Sequence, residues 1–291
     1  MSPVTFRRLL TRGDLPDSDG GLYNPSVVAG ADGRLRVLVR READYTWERP
    51  SFPTFVDIET LAHETLHPEG FDGSRIEDCR IFSWHGMLLA SHVDYVCQHR
   101  RAVYPVRQRL SVVNGDRLQR WDDWLLPVPM QRVEKNWVLA SNGDDLFCVY
   151  SLDPLIVCRR ADHGWELLHR DETGLTKAFG KELHNSIHLV PFDNGYLGLW
   201  HFIKAGTRST YVTGAYWLDA ELKLGKTSSV LLDGSWVQQD VYKPGVCYVS
   251  SAVIAGETLY LFYGEGDAHT GVVTLPITDL RRALGGPLGV R

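Results

Sequence analysis

Five times along the chain a glycine opens a short apolar run. Gly33 precedes RLRVLVR, Gly86 precedes MLLASHV, Gly143 precedes DDLFCVY, Gly195 precedes YLGLWHF and Gly256 precedes ETLYLFY. Runs rich in Val, Leu, Tyr, Phe and Trp that begin at a turn glycine read as strands. Looking backward from each turn gives a second series: YNPSVVA, EDCRIFS, KNWVLAS, HNSIHLV and VSSAVIA. Each starts on small polar or charged residues and then becomes apolar. Five hairpins therefore recur at intervals of roughly 50 to 65 residues, a repeat longer than the ~40–50 of common blade motifs.

The intervening segments read as five further hairpins: PTFVDIETLAHETL, RLSVVNGDRLQRW, LIVCRRADHGWELL, GAYWLDAELKLG and GVVTLPITDLRRAL. Their turns carry Asp, Asn and Gly, and their apolar residues tend to alternate. Two hairpins per unit give about four strands per unit. The expected fold is all-β, a five-bladed β-propeller with a central polar cavity, formed by residues 1–291 as one domain. VTFRRLL near the start is expected to supply the outer strand of the last blade, which removes the free edge at the seam. A two-sheet sandwich would also show many short strands, but it gives no reason for five similar inner hairpins. Helix is expected only as short turns at DLRRALGG and DDWLL.

In such a fold the first strand of each blade runs along the axis, and its leading residue faces a funnel. Aligning the hairpins places Asn24, Asp78, Asn136, Asn185 and Ser250 there, with Glu77, Arg80, Lys135 and His184 beside them. The returning strands bring Arg40, Asp44, His92, Tyr150, Asp153, His201 and Asp267 to the same end. A ring of Asn, Asp, Glu, Arg, Lys, His and Tyr is a polar cup. Burying so many donors and acceptors is costly unless they are paired or bind a ligand. Carboxylates, amides and guanidinium groups suit sugar hydroxyls, and Trp137, Trp200, Tyr150 and Tyr263 are candidates to cover ring faces. Each aromatic is also a candidate for packing between blades.

Bulk properties narrow the partners. A net charge of −5 and a pI near 6.1 give no basic footprint for nucleic acid. Five cysteines without a CxxC pair read as reduced thiols, and no apolar run approaches a membrane span. A cytoplasmic protein is expected. The spacing of His85, His92, Cys97 and His99 fits no standard zinc pattern. GLTKAFGK only echoes a P-loop: its spacing is one residue too long, and Glu182 stands where Ser or Thr belongs. No metal and no cofactor are expected.

YNPSVV with GRLRVLVRREADY, EDCRIF, EKNWVLA with LFCVYSLDPLIVCR, and LYLFYGEGD resemble glycoside hydrolase family 130. That family contains β-mannoside phosphorylases and some hydrolases, and related propellers are mannosyltransferases. The resemblance runs along almost the whole chain, one motif per blade. It implies a carbohydrate-active enzyme with Asp78, beside Glu77, as general acid. It also implies that Asn24, Arg40 and Asp267 hold the sugar, that Arg80 and Lys135 meet an anion, and that inorganic phosphate is a co-substrate. Asp44, Asn136, Tyr150, His184, Asn185 and His201 complete the expected substrate-binding set. The chain departs from the pattern where Cys79 replaces a proline and where His184 and Asn185 stand in place of small residues. A hydrolase would need a second carboxylate for water, and Glu134, Asp153, Glu182 and Asp267 are candidates. A sugar-binding propeller without catalysis, and a tailoring enzyme for a non-sugar substrate, are the alternatives that the departures suggest.

Overall fold

The computed structural model describes residues 5–29, 35–45, 51–70, 75–98, 101–122, 124–206 and 209–285. The turn at Gly33, and His99, lie outside them. Five small antiparallel sheets are arranged as a five-bladed β-propeller.

Blade I consists of Gly21–Ala29, Leu35–Glu42, Phe52–Asp57 and His63–Thr65. Blade II consists of Arg75–Trp84, Met87–Gln98, Arg101–Asn114 and Arg117–Asp122. A short strand, His67–Glu69, runs parallel to its outer edge. Blade III is Val138–Ser141, Leu146–Leu152, Leu155–Ala161 and Gly164–Asp171. Blade IV breaks its inner strand into His184–Asn185 and Val190–Phe192. Both pieces pair with Gly195–Lys204, which is followed by Thr210–Asp219 and Leu224–Asp233.

Blade V is built from Cys247–Ala255, Thr258–Glu265 and His269–Pro276, and its fourth strand is Thr5–Leu10. The expected closure is therefore present. The helical turn expected at DLRRALGG is present as the helix Ile277–Leu284, so the hairpin read over GVVTLPITDLRRAL is a strand followed by a helix. That segment buries Ile277, Leu280 and Leu284 beside the blade IV–V core and leaves the edge position to the N-terminal strand. Of DDWLL, also expected to turn helically, Asp123 lies outside the described residues and the others form no helix, whereas Leu175–Phe179 forms a one-turn helix.

Leu10 is fully buried, and Arg8 holds Glu265 through two hydrogen bonds of 2.8 and 2.6 Å. Deleting residues 1–10 should therefore unseal blade V. Loss of Leu10 alone removes about 2–5 kcal/mol, and the bare edge of His269–Pro276 becomes a template for pairing between molecules. The deletion is expected to elute from a sizing column partly as aggregate and to melt earlier than the full chain. An unchanged melting curve would refute a structural role for the seam.

The inner strands are tied to one another around the axis. Ser26 of blade I accepts the Ile81 N–H of blade II at 2.8 Å, and Ser251 of blade V accepts the Val27 N–H of blade I at 3.2 Å. Leu139 N–H of blade III donates to His188 Nδ1 of blade IV at 2.9 Å. Apolar packing fills the wedges between blades, with Trp200, Tyr216 and Val157 in one and Trp124, Trp137 and Cys158 in another.

Candidate active site

The inner strands of blades I and II are bulged near their starts: the pairing register slips between Tyr23 and Ser26 and between Glu77 and Arg80. At the bulges the backbone turns left-handed, with φ of 51° at Asn24 and 51° at Asp78, and Asn136 of blade III has φ 66°. Asn and Asp are the non-glycine residues that tolerate this region best, because their short side chains bond locally. Asn24, Asp78 and Asn136 in the sequence series thus share a backbone cause. Gly264 makes room for one of them: a Cβ there would stand 2.6 Å from Asn24 Oδ1.

A cavity of about 180 Å³ lies on the axis between these residues. Of the expected site residues, Asn24, Arg40, Glu77, Asp78, Lys135, Asn136, His201 and Asp267 line it. A second cleft of about 250 Å³ adjoins it through Lys135 and Asn136 and is bordered by Tyr150, His184 and Asn185. Asp44 lines neither. Arg80 lies beneath the cavity floor, only 1% exposed, and its Nη2 donates to Tyr248 Oη and, at 3.5 Å, to Asn136 Oδ1. Asn185 is tied into the blades, donating to the Val149 carbonyl at 3.2 Å and accepting from Tyr216 Oη at 2.7 Å.

Three carboxylates line the cavity, and they differ in their partners. Glu77 pairs with Arg40, and Arg75 Nε lies 3.8 Å from it. Asp267 pairs with Lys243 at 2.6 Å and accepts from Tyr45 Oη at 3.0 Å. Asp78 has no cation partner among the described residues; its Oδ1 accepts from Asn24 Nδ2 at 2.7 Å. Behind Arg40, the buried Glu42 also takes Arg40 at 2.5 Å and Arg75 on the same oxygen. Lys135 stands exposed at the mouth, with no ion pair among the described residues.

His201 stacks on Tyr211 and meets Tyr248 edge-on, with its Nδ1 2.8 Å from Ser186 Oγ. Burial, then the neighbouring His184, Arg80 and Lys135, hold it well below the usual imidazole range, so it serves as a neutral wall. His184 is also lowered: its partly desolvated surroundings dominate, Glu182 acts against them and Lys135 with them. Lys243 is raised; burial pulls the ammonium down, but Asp267 outweighs it. Burial pushes the Tyr211 phenol up to about 12, and Asp78 adds to that.

Tyr211, Lys243 and Tyr248 line the cavity without having been expected. Tyr211 sits on a third strand, Lys243 in the loop before blade V, and Tyr248 two residues ahead of the aligned Ser250. None stands at a repeating position of the hairpins. Ser250 itself donates to the Pro25 carbonyl at 2.6 Å and joins blades V and I. Among the other expectations, His92 is buried within blade II against Ser111 at 2.8 Å. Asp153 caps the helix Leu175–Phe179, accepting from the backbone of Thr173, Gly174 and Thr176. Trp200 and Tyr263 are core residues. No group of three His, Cys, Asp or Glu residues able to hold a metal occurs among the described residues, and no helix among them is long and apolar enough to cross a membrane.

No family model matches the chain, and no match is found among curated proteins. Solved structures do match. A β-1,2-mannobiose phosphorylase from Listeria innocua, solved with β-1,2-mannobiose, superposes with a TM-score of 0.67 at 15% identity, covering 98% of this chain and 99% of that one. The chain shares the five-bladed propeller fold of this structure. A protein described among the family 130 mannoside phosphorylases and hydrolases that target β-1,2-mannosidic linkages of Candida mannan gives a TM-score of 0.64 at 14% identity, covering 92% and 87% of the two chains. A mannose phosphorylase from Leishmania mexicana, solved with a phosphate ion, gives 0.60 at 12% identity and covers 94% and 90%. At these identities the likeness is one of fold.

Proposed function

We propose that the protein is a carbohydrate-active enzyme that breaks a mannoside-like glycosidic bond by inverting phosphorolysis, with Asp78 as the proton donor. The observation that carries this reading is the isolation of Asp78. A carboxyl group committed to a neighbouring cation is a poor source of a proton. Glu77 and Asp267 are so committed; Asp78 has no cation partner among the described residues and accepts from the neutral amide of Asn24. The cavity of about 180 Å³ is below the ~300–1,000 Å³ of drug-sized sites and suits one sugar ring. The adjoining cleft, with the partly exposed Tyr150, takes the aglycone. Asn24, Arg40 and Asp267 bind hydroxyls, and Glu77 orients Arg40.

Hydrogenphosphate attacks C1 from the face opposite the leaving oxygen. The C1–O bond breaks, a C1–OP bond forms, and Asp78 hands its proton to the departing oxygen. The proton that hydrogenphosphate sheds restores Asp78. Lys135 supplies a point charge for the anion at the mouth. Water as the nucleophile would need a second uncommitted carboxylate to act as its base. Both other acids of the cavity serve as counterions, and Glu134 is occupied by Gln131 N–H and Tyr150 Oη; of the candidate bases, Glu182 lies exposed on the border of the adjoining cleft, so phosphate dependence decides between the two nucleophiles.

Incubation with aryl mannosides and β-linked manno-oligosaccharides, with and without phosphate, tests the reading. Release is expected to require phosphate and to yield a sugar 1-phosphate. Lys135→Gln is expected to raise the half-saturating phosphate concentration about tenfold, the scale of one lost charge-assisted contact. Release at the same rate without phosphate would overturn phosphorolysis and assign the site to hydrolysis.

A further inference from the structure

Phe6 and Trp236 are separated by most of the chain, yet their rings meet with centroids 4.4 Å apart, tilted by 45°. Each is 37% exposed, and Trp236 is the only exposed Trp among the described residues. The register of blade V explains the meeting. Arg8, Gly271 and Tyr263 stand side by side on three neighbouring strands, so they share one face with Phe6 and Glu265, two positions along. Gly271 has no side chain to hold the others apart: a Cβ there would stand 2.4 Å from Tyr263 Cζ. The Tyr263 ring fills that space and meets Phe6 edge-on at 5.9 Å. Trp236 comes from the 3-10 turn Gly234–Trp236 that follows blade IV, and it stands edge-on to Tyr263 at 5.6 Å. Buried Tyr263 thus supports two exposed rings.

The hollow at these rings, of about 500 Å³, is also lined by Arg8, Glu265 and the exposed amides of Gln238 and Gln239. Arg8 and Glu265 neutralise each other at 2.6 Å, so the lining carries no net charge. It offers apolar ring faces beside neutral hydrogen-bonding groups. A sugar ring matches it, with C–H groups on its faces and hydroxyls at its edge. A nucleic acid would need uncompensated cations, and a lipid chain would cover the amides without bonding them. A stable protein interface takes roughly 20–30 residues a side, far more than border this hollow.

The hollow is continuous with the surroundings of the cup. Asp233 ends the outer strand of blade IV and Cys247 begins the inner strand of blade V. Residues 234–246 therefore cross the face where the inner strands start, which is the face of the cup. Gln238 also borders a neighbouring hollow of about 510 Å³ that reaches Thr210 and Gly245. The Gly245 N–H donates to the Val237 carbonyl at 2.8 Å, and the Gly245 carbonyl accepts the Tyr211 N–H at 2.9 Å. Tyr211 and Val246 line the cup.

We infer that the blade IV–V edge carries a distal glycan-binding site, where Trp236 and Phe6 stack on rings of an oligosaccharide whose end occupies the cup. The inference rests on the reading of the cup as a sugar site, and it adds that the substrate is a chain longer than a disaccharide. Contacts so far from the reacting bond hold substrate and transition state alike. They lower the half-saturating concentration of long chains and leave kcat unchanged.

Kinetics on β-linked mannohexaose and on an aryl mannoside test it. Trp236→Ala is expected to raise the half-saturating mannohexaose concentration about tenfold, the size of one aromatic contact. It should leave kcat, and both constants for the aryl mannoside, unchanged. Trp236→Tyr, which keeps a ring, should recover most of the loss, and circular dichroism checks the fold of both variants. Native gels cast with β-mannan read binding without turnover: the wild type is expected to be retarded, and Trp236→Ala to run as in a gel without mannan. Unchanged mannohexaose kinetics in Trp236→Ala, with the aryl mannoside still turned over, would overturn this inference and leave the reading of the cup standing. Retardation that depends on Trp236, with neither substrate turned over, would support the distal site and overturn catalysis in the cup. Neither retardation nor turnover would overturn both.

Discussion

Asp78→Asn is expected to keep the propeller folded and to slow turnover of a glycoside with an unactivated leaving group by about 10²–10⁴-fold, the usual contribution of a general acid. Folding should survive because the left-handed backbone at this bulge accepts Asn as readily as Asp. Asn24 and Asn136 already occupy such conformations in the neighbouring blades. The amide keeps the size of the side chain but has no proton to give. A nitrophenyl mannoside, whose leaving group departs without protonation, should therefore lose far less. Comparing the turnover of the two substrates, with circular dichroism and melting as checks on the fold, separates proton donation from binding. Equal losses on both substrates would make Asp78 a binding group.

The largest stability effect is expected from Glu42→Gln. Glu42 is 1% exposed, and one of its oxygens faces both Arg40 and Arg75, themselves buried. Removing its charge takes from both guanidinium groups the buried carboxylate oxygen that they share. Breaking a buried ion pair from one side typically removes about 3–5 kcal/mol, readable as a lower urea midpoint at unchanged slope. Arg40 reaches the cup through this network, so the half-saturating sugar concentration should rise as well. A shift below about 1 kcal/mol, the range of solvent-exposed pairs, would show that the network is not the support described.

Much of this architecture was legible in the chain because the inner strands repeat. The glycine-opened hairpins fixed the blade count, and VTFRRLL showed that blade V borrows a strand. Parts that do not repeat were hidden. His67–Glu69 is three residues with no period of its own. The strand at GVVTLP gives way to a helix because ITDLRRAL spaces its apolar residues at 277, 280 and 284 rather than by twos. In the site, Asn24, Asp78 and Asn136 were readable from one shared backbone position. Tyr211, Lys243 and Tyr248 reach the same cavity from three different structural contexts, and only the closed ring brings them together. Ion pairing was equally invisible. EDCR shows two acids and an arginine in four residues, yet Glu77 takes Arg40 and Arg75, and Arg80 turns to Tyr248.

The seam has a consequence for how the molecule is made. Thr5–Leu10 pairs with His269–Pro276, some 260 positions later in the chain. At about 5–20 residues per second on the ribosome, this strand waits roughly 13–50 s after it emerges for its partner. Four blades can assemble during that interval, while a basic, half-apolar hexapeptide stays unpaired. Its sequence, TFRRLL, carries two arginines at its centre. Charge of this kind keeps a lone strand from pairing with strangers, so these arginines guard the nascent chain before Arg8 goes on to clasp Glu265.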